Sequence, residues 1–219
     1  MNIRGAIFDA DGTLLDSMPI WNTIGETYLR SIGYKPKENL NEVFKKMSLY
    51  QAACYYQTEY GVTLSVEEIM HGVNTILEQD YRCEIPLKPG AAELLTLLQE
   101  NRVKLCIATA TDRYLVEAAL KRCKVLSYFE KIFTCTEVGH GKDEPHIFEA
   151  ALRFLGTEKT ETVVFDDALY AVQTAKEAGF LVAAVYDSDE KEPDEVCRLS
   201  DIYLEDLTQL DKFRKYFLV

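Results

Sequence analysis

The stretch FDADGTLLDS at residues 8–17 ends an apolar run with two aspartates one residue apart. Successive side chains of a strand point to opposite faces, so Asp9 and Asp11 share a face where extended backbone continues through them. At about 4 Å and an effective dielectric near 20, two such carboxylates repel by about 4 kcal/mol. Something must offset that repulsion, and three other segments carry groups suited to a charged site. Thr109 lies in ATAT, Lys142 in GHGKDEP, and Asp166 with Asp167 in VVFDD. A carboxylate can attack as a nucleophile, hold a cation or relay a proton. An ammonium can neutralise an anion, and a threonine hydroxyl can bond to one.

Each group also has an ordinary reading. D-x-D after a strand can form a turn, and an Asp pair before a helix can cap it. Thr109 alone suits a buried strand position, and Lys142 alone suits a surface. It is the placement of all four at successive predicted strand ends that asks for one explanation, because ligands of open α/β sheets bind outside the carboxyl ends of the strands.

The elements that position these groups follow from the hydrophobic pattern. IRGAIF at residues 3–8 reads as a short buried strand. From 17 to 84 the pattern becomes helical, with helices expected near 18–32, 40–47, 49–60 and 65–82. The segment IPLKPG at 85–90 then breaks the pattern, since two prolines and a glycine do not continue a helix. Beyond it strands and helices alternate: AAELLTLLQE, VKLCIATA, RYLVEAALKRC, KIFTC, PHIFEAALRFLG, TVVFDD, ALYAVQTAKEAG, LVAAVY, DIYLED and LTQLDKFRKYF. Such alternation predicts a parallel sheet with helices on both faces. The helical stretch separates strand one from strand two, so it reads as an inserted domain over 17–84, the remainder (1–16 and 85–219) forming the core. The acidic run DSDEKEPDE at 187–195 reads as a solvated loop.

The whole chain has 219 residues, 47% of them hydrophobic, and a formal charge of −12. That acidity argues against nucleic-acid or anionic-membrane partners, which favour basic surfaces. Cys54, Cys83, Cys106, Cys123, Cys135 and Cys197 include no C-x-x-C pair, and several sit in apolar runs. They read as reduced, buried thiols and not as a disulfide framework. Asp9 and Asp11 interrupt the N-terminal apolar run too early for a signal peptide, and no apolar stretch nears the roughly 20 residues of a membrane span. A cytoplasmic, soluble protein, monomeric or weakly dimeric, is the expectation.

With these motifs in view, the chain resembles the haloacid dehalogenase superfamily, in its phosphatase-like and β-phosphoglucomutase-like subgroup with a small helical cap. DADGTLLDS matches that superfamily's D-x-D-G-T-x-x-D-S, and CIATAT its apolar strand ending in Thr or Ser. GKDEPHIF is similar to G-K-P-x-P-D-x-F, with Asp143 and His146 in place of the proline and aspartate. VVFDDALYAVQTAKEAG is similar to an acidic pair followed by S-x-x-G, with Ala168 and Ala171 in place of the serine and glycine. The departures change loop residues and leave the charged groups in place.

The resemblance implies a Rossmann-like α/β core with an α-helical cap, and a Mg²⁺-dependent phosphatase acting on a small phosphorylated metabolite. It implies Asp9 as nucleophile forming an aspartyl-phosphate and Asp11 as general acid and base. Thr109, Ala110 and Lys142 are then phosphate-binding, and Asp9, Asp11 (through its backbone carbonyl), Asp166 and Asp167 form the metal site. Trp21, Lys45 and Lys46 are candidate substrate contacts in the cap. Asp9, with the ordinary aspartate pKa of about 3.9, is expected to be ionised near neutrality without help.

The alternatives are a sugar-phosphate mutase resembling β-phosphoglucomutase, and a non-catalytic phosphometabolite-binding protein on the same fold. The mutase carries a histidine where this chain has Trp21, and a K-G-x-S-R loop where it reads KKMSL at 45–49. Leu49 in place of the arginine removes the side chain that would hold a second phosphate, which favours hydrolysis. Loss of Asp9, Asp11, Lys142 or Asp167 would favour the non-catalytic reading, and all four are present. Dehalogenation is disfavoured, since those relatives lack an acid at the position of Asp11. The tyrosines of CYYQTEY read as core of the helical segment.

Overall fold

The structure, a computed structural model, describes residues 2–44, 47 and 49–218. It resolves into two compact units, one of Met1–Asp16 with Pro86–Val219 and one of Ser17–Ile85.

The first unit is built on a sheet of six parallel strands, β1 (Gly5–Phe8), β2 (Lys104–Thr109), β3 (Lys131–Thr134), β4 (Thr162–Asp166), β5 (Leu181–Val185) and β6 (Ile202–Leu204), in the order β3-β2-β1-β4-β5-β6. This is the doubly wound, Rossmann-like order, with β1 central and its two neighbours reached by connections that diverge. The expected alternation of strand and helix is borne out. Strands covered on both faces read as continuous apolar runs, and GAIF, TVVF and VAAV are buried throughout. One face of the sheet packs Ile7, Cys106, Ala108, Val164, Val182 and Ala184 against Phe148, Ala151, Val172 and Phe180. On the other, the Phe8 and Phe165 rings stack at 4.0 Å between centroids, and Phe165 meets Phe213, which meets Phe217.

The second unit carries α1 (Met18–Ser31), α2 (Leu40–Phe44), α3 (Leu49–Tyr60) and α4 (Val66–Cys83). Ser65 starts α4 through a capping box, its hydroxyl accepting from the Glu68 N–H while the Glu68 carboxylate accepts from the Ser65 N–H, which satisfies two otherwise unpaired donors. Tyr28 and Tyr56 are buried and tilted against each other at 5.7 Å, and Phe44 meets the Tyr56 ring edge to face. The Tyr56 hydroxyl donates to the Gly25 carbonyl at 2.7 Å. These rings form the interior of the helical unit.

The core's remaining helices are α5 (Ala91–Glu100), α6 (Arg113–Arg122), α7 (Cys135–Val138), α8 (His146–Leu155), α9 (Leu169–Glu177), α10 (Pro193–Leu199) and α11 (Leu210–Phe217). The chain leaves the core and returns to it through a narrow neck. Leu15 pairs with Leu87 in an antiparallel bridge, the Asp16 N–H donates to the Pro86 carbonyl at 3.0 Å, and the Lys88 N–H donates to the Leu14 carbonyl at 2.8 Å.

Two expectations need correction. The run 187–195 is more than a solvated loop: Asp187 is buried, and its carboxylate accepts from the Lys88 ammonium at 2.6 Å. Glu190 of the same run accepts from the Leu169 N–H at 2.9 Å, which caps α9, and Pro193 opens α10. A run of like charges looks solvated in sequence because its partners, here Lys88 and a helix start, lie far along the chain. The cysteines are all free, but Cys83 and Cys197 are exposed while Cys106 is buried. Among the described residues, no helix is long and apolar enough to cross a membrane.

Candidate active site

The parallel register brings the carboxyl ends of β1, β2 and β4 to one edge. Phe8 pairs with Ile107 on one side and Phe165 on the other, and the Asp9 N–H continues the ladder to the Phe165 carbonyl at 2.9 Å. Asp9 therefore leaves β1 level with Asp166 leaving β4. Gly12 then turns the chain with φ of +79°, where a Cβ would collide with the Asp167 carboxylate. Glycine is needed there for both reasons, since it alone adopts that φ without strain and leaves the space clear.

Asp9, Asp166 and Asp167 bring one carboxylate oxygen each within 4.8 Å of one another. Lys142, buried in the turn after β3, reaches into this group. Its Nζ lies 2.6 Å from Asp9 Oδ1 and donates to Asp166 Oδ2 at 2.8 Å. Asp166 Oδ1 accepts from the Ala168 N–H at 3.1 Å, so this acid fixes both the lysine and the start of α9. Asp11 accepts at Oδ2 from the Thr111 hydroxyl at 2.7 Å, and Asp167 at Oδ1 from the Thr13 hydroxyl at 2.7 Å.

Thr13 and Thr111 were not singled out by sequence reasoning, although they lie inside the quoted segments FDADGTLLDS and CIATAT. The available signal was a hydroxyl two residues from a candidate group at each strand end. Thr109 is fully buried at the end of β2, its hydroxyl oxygen accepting from the Thr111 N–H at 3.1 Å, and Ala110 is exposed in the turn that follows. Trp21 lies in α1 and donates through Nε1 to the Tyr81 hydroxyl at 2.8 Å, both within the helical unit. Lys45 and Lys46 lie outside the described residues.

The electrostatics correct one expectation. Burial pushes the Asp9 carboxyl up, Lys142 pulls it down, and Asp166 and Asp11 raise it again, to about 7. An unassisted Asp9 is therefore not simply ionised at neutrality; removal from water and two acidic neighbours outweigh the single ammonium. Asp167 is likewise held well above the usual carboxylate range by burial, then by Asp166 and Asp9, against the Thr13 hydrogen bond. Burial alone would lower Lys142, but Asp166 and Asp9 outweigh it and hold the ammonium charged. The cluster is thus one positive charge against several buried acids, a deficit that a cation would fill. Its donors are all carboxylate oxygens, a set that suits a hard divalent ion. One thiol, Cys135, feels the charges of Lys142, Asp9 and Asp166, but burial lifts it to about 11, leaving it protonated.

A parallel sheet of this order, with an acidic cluster and one lysine gathered at its carboxyl edge, defines an α/β enzyme of the doubly wound class. The family model for haloacid dehalogenase-like hydrolases matches residues 6–185, and the chain belongs to that family. A phosphorylated carbohydrates phosphatase of Thermotoga maritima is 25% identical over 177 residues, spanning 81% of this chain and 82% of that protein. A (DL)-glycerol-3-phosphatase of Arabidopsis thaliana is 30% identical over 194 residues, spanning 85% of this chain and 80% of that one. Among solved structures, CbbY from Rhodobacter sphaeroides in complex with phosphate superposes with a TM-score of 0.82 at 22% identity. The match covers 95% of this chain and 96% of that one, a likeness of fold.

Proposed function

We propose that this chain is a Mg²⁺-dependent phosphatase that hydrolyses a small phosphomonoester, such as a sugar or polyol phosphate, through an aspartyl-phosphate intermediate, with the helical insertion as its cap. The observation that carries the reading is Lys142 bonded at once to Asp9 and Asp166 beside Asp167. Phosphoryl transfer needs such an arrangement: a nucleophilic oxygen and a fixed positive charge at one point. The names of the two relatives support the substrate class.

Asp9, Asp166 and Asp167, with the backbone carbonyl of Asp11, would hold the ion. When bound, Mg²⁺ would neutralise the approaching phosphate and keep the buried acids ionised. Asp9 attacks phosphorus, forming an oxygen–phosphorus bond as the bond to the leaving oxygen breaks. Lys142 stabilises the ionised Asp9 and balances charge on the phosphoryl oxygens. Thr109 and Ala110 form the phosphate-binding turn, in which the Thr109 hydroxyl keeps its hydrogen to donate while its oxygen holds the Thr111 N–H. Asp11, oriented by the Thr111 hydroxyl, protonates the leaving oxygen. It then takes a proton from the water that cleaves the aspartyl-phosphate.

The test is phosphate release from p-nitrophenyl phosphate and from a panel of sugar, polyol and glycerol phosphates, with Mg²⁺ and after exhaustive chelation. Metal-dependent turnover with preference for one of the metabolites is expected. Full activity in the chelated protein would sink the mechanism.

A further inference from the structure

Two of the chain's three histidines fall within the turn that carries Lys142, in GHGKDEPH. Gly139, in the left-handed conformation, ends α7 with its N–H on the Cys135 carbonyl at 2.8 Å. The N–H of Glu149, in the first turn of α8, donates to the Pro145 carbonyl at 2.9 Å. The turn is thus anchored at both ends, and it folds back so that the His140 and His146 rings lie 4.0 Å apart between centroids. Both rings aim a nitrogen at one oxygen. His140 Nδ1 is 2.8 Å and His146 Nε2 is 3.1 Å from Glu144 Oε2. One ligand atom from each of the three residues lies within 4.8 Å of the other two.

The two nitrogen-to-oxygen distances are those of hydrogen bonds, somewhat shorter than the edge of a metal coordination shell, so the three side chains need to open slightly to take an ion. Ligand atoms about 2.1 Å from a tetrahedral ion lie about 3.4 Å from one another. Two imidazoles and one carboxylate are the donor set of many zinc sites that keep a fourth position for water. The chemistry differs from that of the carboxylate cluster: imidazole suits zinc, whereas Mg²⁺ favours oxygen donors and sheds its water reluctantly. All three side chains are about half exposed, His140 at 45%, His146 at 49% and Glu144 at 52%, so an ion could reach them from solvent.

We propose that His140, Glu144 and His146 form a zinc(II) site, separate from the carboxylate cluster, that pins the turn holding Lys142. The ligands at 140 and 144 straddle Lys142 in sequence, so an ion bound to both clamps the short segment from which the ammonium reaches Asp9 and Asp166. Zinc then stabilises the turn without touching the phosphoryl-transfer groups.

The experiment titrates the metal-stripped full chain with Zn²⁺ against a chromophoric chelator, in excess Mg²⁺. One zinc per chain is expected. His140→Gln and His146→Gln should each weaken binding by at least about tenfold, with unchanged circular dichroism and unchanged phosphatase activity in Mg²⁺ alone. Asp9→Asn should leave this zinc affinity unaltered, because it removes only a ligand of the other cluster. Equal zinc affinity in the parent and both histidine variants would overturn the proposal. So would loss of the zinc in Asp9→Asn, or no zinc bound by the parent chain. Should a glutamine variant fail to fold, His140→Asn and His146→Asn are read by the same criterion.

Discussion

The Lys142 ammonium lies 2.6 Å from an Asp9 carboxylate oxygen, although 133 positions separate the two in the chain. It is a charged contact that ties the end of β1 to the turn that follows β3. Lys142→Met keeps most of the side chain's length and removes its charge. Turnover should fall by about 10²–10³, the usual cost of one electrostatic stabiliser. At neutral pH the metal-free protein should also lose about 3–5 kcal/mol of stability, because Asp9 and Asp166 are left buried without their partner. Phosphate release and urea denaturation in chelator measure the two effects. Activity within threefold of the parent would remove Lys142 from the site.

The raised Asp9 carboxyl gives the metal-free protein a pH signature. In the folded chain it holds its proton to about pH 7, whereas in the unfolded chain it releases it near 4. The folded state therefore binds more protons across that window, and the stability this contributes is full below about pH 4 and drains away toward 7. Asp9→Asn should abolish turnover, since an amide is a poor nucleophile, yet it should stabilise the metal-free protein relative to the parent by about 2–4 kcal/mol at pH 7.5. At pH 4 the two should be nearly equal. Denaturation midpoints at the two pH values in chelator decide it, and a parent-to-variant difference independent of pH would contradict the burial argument.

Asp11 and Thr111 form a separable pair. Asp11→Asn should lower turnover by about 10²–10⁴, the usual worth of a general acid and base, while metal-dependent binding of phosphate survives. Thr111→Val removes only the hydroxyl that holds the Asp11 carboxylate at 2.7 Å, so it should cut kcat by a smaller factor and leave KM nearly unchanged. Calorimetric titration with inorganic phosphate beside steady-state kinetics separates binding from proton transfer. Loss of phosphate binding in Asp11→Asn would place Asp11 in a different role.

Much of this arrangement was legible in the chain. Buried parallel strands announce themselves as GAIF, TVVF and VAAV, and the stretch FDADGTLLDS marks where one of them ends. Lys142 could be placed near the strand ends but not paired, because nothing local to GHGKDEP says that it meets Asp9 and Asp166. Thr13 and Thr111 were overlooked for the same reason: a hydroxyl carries no sequence period, and its value depends on a carboxylate 154 or 100 positions away. The Asp9 carboxyl was misjudged because burial is a property of the assembled sheet. Asp187 shows the opposite error, in which a charge run suggested solvent while Lys88 held one member inside.

Hydrolysis rather than isomerisation is the expected outcome with a sugar phosphate. Trp21 places its one polar hydrogen on Tyr81, and an indole can only donate, so it cannot shuttle protons as an imidazole does. Leu49, the first residue of α3, offers no grip for a second phosphate. Incubation with β-glucose 1-phosphate, Mg²⁺ and a trace of the bisphosphate should release inorganic phosphate faster than it forms glucose 6-phosphate. The reverse order would reassign the chain as a mutase.

The neck at Leu14–Asp16 and Pro86–Lys88 makes the helical insertion, to the core, a hairpin loop of unusual length. Both of its ends are fastened by the same short antiparallel ladder, so the sheet does not register how many residues lie between them. Loop-closure entropy grows only with the logarithm of length, about 0.6 kcal/mol for each doubling. A few-residue turn, or an unrelated folded module of larger size, joined between Asp16 and Pro86 would present the core with almost the same problem. By that count, closing the loop from Asp16 to Pro86 costs the core only about 2–3 kcal/mol more than closing a turn of a few residues.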